Sequence, residues 1–161
     1  MIRLACLLAA ALFAGGTALG EPLVKVVNFT AAWCPNCRVL DPRLDLATGR
    51  YEAEEVGLVP LDMTDLRGKG EDRKWQRVKE LQVQAEAHQV RYLWDWYGGH
   101  TGLAVLVAAD TGEPLSCVTR RDSVDDIAAR LQEALVLTRH GPAGKRRPDG
   151  PPCPAPMRPQ E

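Results

Sequence analysis

The chain has 161 residues, 45% of them apolar and 25% charged, and 20 basic against 21 acidic residues leave a net charge of −1. That is enough length for one soluble domain with a sizeable core and some trimmings. The charge balance gives no reason to expect nucleic acid or an anionic membrane as partner.

The first twenty residues depart from that profile. Met1-Ile2-Arg3 carries one positive charge, Leu4–Ala14 is an apolar run, and Gly15–Gly20 is small and breaker-rich. This is the order of a secretory signal peptide, with Ala18-Leu19-Gly20 as the cleavage site and Glu21 as the mature start. The apolar run is too short to span a bilayer, which needs roughly 20 residues. No stable membrane span is expected after cleavage. Of the five cysteines, Cys34, Cys37, Cys117 and Cys153 then remain. An exported location permits disulfides among them. The periplasm, or else secretion, is the expected location.

The predicted elements follow in order. Leu23–Phe29 is β-branched and apolar and reads as a buried strand. The Cys34-Pro35-Asn36-Cys37 motif comes next. Val39, Leu40, Leu44, Leu46 and Ala47 then recur at helical spacing up to Gly49, with a kink expected at Pro42. Val56–Asp62 reads as a second strand, weakened by Pro60, which lacks a backbone donor. Glu71 to about Val90 is rich in helix formers, with Trp75, Val78, Leu81, Ala85 and His88 as a loose stripe. An aromatic segment, Tyr92–Tyr97, precedes Gly98–Gly102. Leu103–Ala109 is the clearest strand, and Pro114–Thr119 is its hairpin partner across an Asp-Thr-Gly-Glu turn. Asp122 or Ser123 caps a last helix. From Arg139 onward the chain reads as a disordered tail, because seven of the twelve prolines fall within His140–Glu161. The organisation expected is a signal peptide over 1–20, a domain over 21–138 with an insert at about 65–101, and a tail over 139–161. A βαβ unit joined to a ββα unit gives a mixed sheet covered by helices on both faces.

The chemistry centres on the CxxC motif. At a strand-to-helix junction this spacing lets two sulfurs reach bonding distance, and the helix N-terminus favours a Cys34 thiolate. Cys34 is then the nucleophile, and Cys37, one turn in and more buried, resolves the mixed disulfide. A zinc site would need a second pair of ligands, whereas Cys117, Cys153, His88, His100 and His140 are scattered singly, so no metal is expected. A structural disulfide remains an alternative reading.

The stretch Val27-Asn28-Phe29-Thr30-Ala31-Ala32-Trp33-Cys34-Pro35-Asn36-Cys37 resembles the active-site stretch of the thioredoxin superfamily. The resemblance covers roughly residues 22–138, with the middle loosely matched. It implies an α/β thioredoxin-like fold and thiol–disulfide exchange with a protein thiol or disulfide and a further redox partner. It implies no cofactor beyond the Cys34–Cys37 disulfide. Trp33, Pro35 and Asn36 flank the reacting sulfurs. Three departures stand out. The family's buried acid before the motif is Asn28 here, and Pro60 falls where a lysine would be. Its cis-proline is replaced by Gly102 after Thr101, for which a trans and more flexible loop is expected. The segment Asp65–Thr101 is longer than a compact member uses.

That insert suggests a second role. Trp94, Trp96 and Tyr97 should lie near the motif and either form a docking patch or pack the insert onto the domain. His100 either tunes the thiolate or is solvated. Thr101 and Gly102 are candidate substrate contacts. Cys117 reads as a small buried hydrophobe, and Cys153 as free, paired with Cys117 or joined to another chain. The rivals to an oxidoreductase are a non-catalytic binding module with a structural CxxC disulfide, and a CxxC metal carrier.

Overall fold

The computed structural model describes residues 20–68, 70–147 and 153–155. The expected signal peptide, apart from Gly20, lies outside the described residues.

The strand Val24–Thr30 (β1) lies in the interior of a four-stranded sheet. Its β-branched residues suit a strand with neighbours on both edges. It pairs in parallel with Val56–Asp62 (β2) and antiparallel with Leu103–Ala108 (β3). A hairpin joins β3 to Pro114–Thr119 (β4), giving the order β2-β1-β3-β4. The expected mixed sheet is therefore present. Pro60 is tolerated because β2 is an edge strand, where one missing N–H leaves no ladder bond unmade on its outer side.

Side chains alternate between two cores. One face carries Val27, Phe29, Val105, Val107 and Cys117. The helices Glu71–Ala87 (α2) and Arg91–Tyr97 (α3) cover it with Leu81, Ala85, Leu93 and Tyr97. The other face carries Val24, Val26, Ala104, Leu106 and Ala108. It is covered by Cys37–Thr48 (α1), through Leu40, Leu44 and Ala47, and by Val124–His140 (α4), through Ile127, Leu131 and Leu135. Ser123 caps α4 in a reciprocal capping box with Asp126.

Several details differ from the sequence reading. The helix α1 continues past Pro42, and Val39 and Leu46 of its expected apolar face are exposed. The helix expected over Glu71 to about Val90 is α2, ending at Ala87, and after Gln89, which adopts φ 61°, the aromatic segment forms a helix of its own, α3. Trp75 lies on the outer side of α2.

The tail also differs from a free coil. Its first part, residues 141–147, packs on the hairpin end of the domain. The Arg146 side chain is 5% exposed and forks onto Asp110, with bonds of 2.6 and 2.7 Å. Glu113 accepts from the Gly144 and Arg146 amides, and Arg147 donates to the Pro114 carbonyl. Proline-rich composition signals missing core-forming residues, but a bidentate ion pair and a disulfide hold this segment instead. Residues 148–152 and 156–161 lie outside the described residues.

The hydrogen bond from Arg146 holds the Asp110 carboxyl below the ordinary aspartate range. A depressed carboxylate contributes stability that is complete above about pH 4 and drains as the pH falls through its lower folded value. The protection of amides in 141–147, taken relative to the free-peptide exchange rate at each pH, should therefore fall on acidification below about pH 4. Asp110→Asn should remove that pH dependence and cost about 2 kcal/mol, because it leaves the guanidinium without its counter-charge. Exchange in 141–147 that is unchanged in the variant would refute the assignment.

Candidate active site

Three residues separate the end of β1 from Cys34, and the chain turns there through a Cys34 N–H to Ala31 carbonyl bond of 3.0 Å. The first regular turn of α1 begins at Cys37, and the Asn36 side chain caps nothing. The cap comes from Cys34 instead. Its sulfur accepts from the Cys37 N–H at 3.1 Å, and its carbonyl accepts from the Arg38 N–H at 3.3 Å. Cys34 thus does what a serine or aspartate does at a helix start, satisfying an orphan donor. A donor aimed at the sulfur, with the positive end of the helix behind it, favours thiolate over thiol.

Cys34 and Cys37 are joined in a disulfide, with Cα atoms 5.3 Å apart. The contrast in burial expected from the sequence is not present in this oxidised form: Cys34 is 2% exposed and Cys37 1%. Pro35 and Asn36 between them are exposed.

Trp33 is half-buried and fixed from three sides. Its indole N–H donates to the Thr64 carbonyl at 3.1 Å, and the Arg67 guanidinium stacks 3.6 Å from the ring centroid. The neighbouring Ala32 N–H donates to the Thr64 hydroxyl at 2.9 Å. Thr64 is in turn held by Asp62, which accepts from its backbone N–H at 2.9 Å and from its hydroxyl. The turn after β2 therefore buttresses the approach to Cys34. Thr64 and Arg67 were not singled out in the sequence, where nothing in their spacing ties them to the motif.

Gly102 lies directly against the motif. Its φ is +77°, and a Cβ built on it would stand 2.5 Å from the Asn36 Cβ. Its N–H donates to the Phe29 carbonyl at 2.9 Å. No described peptide bond is cis, so the bond before Gly102 is trans as expected. The expected flexible loop is not what forms there. Gly102 is buried and tied to β1, because only a glycine allows both the positive φ and the close approach.

On the α1 side of the sheet, Asn28 is 3% exposed and donates to Asp41 Oδ1 at 3.0 Å. The Thr30 hydroxyl donates to Asp41 Oδ2 at 2.6 Å. A cleft of about 320 Å³ opens beside this group, lined by Thr30, Cys37, Arg38, Asp41, Asp62 and Thr64 among others. Asp41 was missed from the sequence, although it lies four residues beyond Cys37 and so on the same helix face.

The aromatic insert is mainly packing. Trp94 and Tyr97 are buried, and Tyr97 meets Phe29 edge-on at 6.1 Å. Trp96 is 37% exposed. The Tyr97 hydroxyl donates to the Pro154 carbonyl at 2.8 Å. Burial pushes the Tyr92 and Tyr97 phenols up, so both stay neutral donors. His100 is half-buried beside Tyr97, ring centroids 6.4 Å apart, and Thr101 is half-buried next to Gly102. Cys153 is bonded to Cys117, the second of the options open in the sequence. The resulting cleft, about 250 Å³ and lined by Trp96, Tyr97, Cys153 and Pro154 among others, is walled in part by the tail itself. Among the described residues, no group of three His, Cys, Asp or Glu is placed to hold a metal ion.

Residues 19–93 match the family model described as Thioredoxin. This is a thioredoxin-family domain. The match runs through β1, the CxxC motif, α1, β2 and α2 into α3, and the β3–β4 hairpin with α4 completes the thioredoxin-like fold beyond it. A comparison with curated proteins finds no match.

Gly102→Ala should lose at least about 2 kcal/mol, from the positive φ and the contact with Asn36 together. Gly144 shares φ +77° but has nothing within 4 Å of a built Cβ. Gly144→Ala should cost about 1 kcal/mol, so the difference between the two denaturation midpoints isolates the motif contact. Equal losses would show that Gly102 is not pressed against Asn36.

Proposed function

We propose that the chain is an exported thiol–disulfide oxidoreductase that exchanges disulfides with a dedicated protein partner. The observation that carries this reading is the Cys34–Cys37 disulfide at the start of α1, with the Cys37 N–H directed at the Cys34 sulfur. In the reducing direction, the Cys34 thiolate attacks a partner disulfide, and one partner sulfur leaves as a thiolate. Cys37 then attacks Cys34, releases the second partner sulfur and closes the disulfide. Two electrons pass from the chain's dithiol to the partner, and the reverse sequence oxidises a partner dithiol. Export, with the periplasm as the expected compartment, rests on the order of charge, apolar run and small residues before Glu21. Among the described residues no helix is long and apolar enough to cross a membrane.

Burial favours a narrow partner range. A Cys34 that is 2% exposed needs its surroundings to move before a partner sulfur can reach it. The same burial supports one other reading, a thioredoxin-fold binding module in which the CxxC is only a bridge.

Three measurements separate the readings. The oxidoreductase should show a Cys34 thiol that ionises below the ordinary cysteine value of about 8.5 and a Cys34–Cys37 potential above about −300 mV. Cys37→Ser should accumulate mixed disulfides through Cys34, and Cys34→Ser should accumulate none. An unreactive Cys34 with a potential below about −300 mV would leave the binding module standing.

A further inference from the structure

The resolving step requires that Cys37, 1% exposed, give up a proton before it can attack. An ordinary cysteine thiol with a pKa of about 8.5 is mostly protonated at neutral pH, so a base at hand matters. The cleft beside Cys37 contains two carboxylates, Asp41 and Asp62. Asp62 is occupied with Thr64, whose backbone N–H and hydroxyl both bond to the same Oδ1. Asp41 differs. It projects from α1 one turn beyond Cys37, and its two partners, Asn28 and Thr30, are neutral donors from β1. Each of its oxygens accepts one such bond, which leaves lone pairs on both for a proton.

Asn28 supplies a second observation. Its Nδ2 is spent on Asp41, while its buried Oδ1 accepts no hydrogen bond from the described residues. A buried amide with one half engaged and the other open suits a proton route that passes beside it. The charged groups that share the cleft are Arg38 from α1 and Asp62 from β2, and β1 contributes no titratable group there.

We propose that Asp41 accepts the Cys37 thiol proton, through one water in the cleft they share, as Cys37 attacks Cys34. This rests on the oxidoreductase reading. The Cys37 S–H bond breaks and its proton passes to the Asp41 carboxylate. The Cys37–Cys34 bond forms as the bond from Cys34 to the partner breaks, and the partner leaves as a thiolate. In the reverse direction the protonated Asp41 returns the proton to the departing Cys37.

The test follows oxidation of the fully reduced chain by glutathione disulfide. Acid quenching, alkylation and peptide mass analysis read Cys34 and Cys37 separately from Cys117 and Cys153. The first step is glutathione attachment to Cys34, and the second is its displacement by Cys37. Asp41→Asn should leave the first step unchanged. It should slow the second at least about tenfold near pH 6–7. The gap should close near pH 9, where the thiol ionises unaided. Should Asp41→Asn not fold, Asp41→Ala gives the same readout with a better helix former. A second step at the wild-type rate, or slowed equally at every pH, overturns the role of Asp41. Absence of any glutathione on Cys34 in Cys37→Ser overturns the oxidoreductase reading instead.

Discussion

Everything at the site hangs on the two-sided pairing of β1. Its hydrogen bonds to β2 on one edge and β3 on the other fix where Thr30 ends and therefore where Cys34 begins. The same register sets the neighbours of the motif. Phe29 is opposite Leu61 and Leu103, so the turn after β2 and the residue before β3 both arrive at the Cys34 end of the sheet. From that placement come Thr64 beneath Trp33 and Gly102 against Asn36. A slip of one residue in β1 would exchange its two faces, turn Val27 and Phe29 toward α1 and α4, and carry Asn28 and Thr30 away from Asp41.

The two disulfides do different physical work. Cys117 and Cys153 are 36 residues apart, so their bond removes about 4 kcal/mol of chain entropy from the unfolded state. Cys34 and Cys37 are 3 apart, and the same reasoning gives about 2 kcal/mol. Opening the first releases a whole segment that Arg146 and Tyr97 also hold. Opening the second frees only one helical turn, which α1 and β1 continue to frame. The short bridge could therefore open without releasing residues 141–147 and 153–155, which the long one and these contacts hold.

The strands, the capped last helix and the motif at a strand–helix junction were legible because they follow from local rules: β-branched runs, Ser123 before an apolar stripe, a fixed cysteine spacing. What was not legible depends on groups that meet only after folding. Nothing local marks Gln89 as the residue that turns left-handed and divides α2 from α3. The tail read as disordered because its composition lacks a core, yet Asp110, Glu113 and Cys117, far off in sequence, anchor it. Gly102 reads in the sequence as the start of a flexible loop, but it is pressed against Asn36, which comes from a different loop. Asp41 was passed over because a polar residue early in a helix is ordinary until Asn28 and Thr30 are seen facing it.

The pairing of Asn28 with Asp41 has its own electrostatic logic. The Asn28 position is 3% exposed and interior to the sheet. A carboxylate there would be stripped of water, and desolvation would push it toward the neutral form. An amide carries no charge to desolvate, while it still donates to a carboxylate placed elsewhere. Asp41 lies at the mouth of the cleft, half-buried, with water on one side and two β1 donors on the other. The arrangement keeps the charge where solvent supports it and the hydrogen bonding where the sheet needs it. The proton route proposed for Cys37 would accordingly form no buried charge on β1.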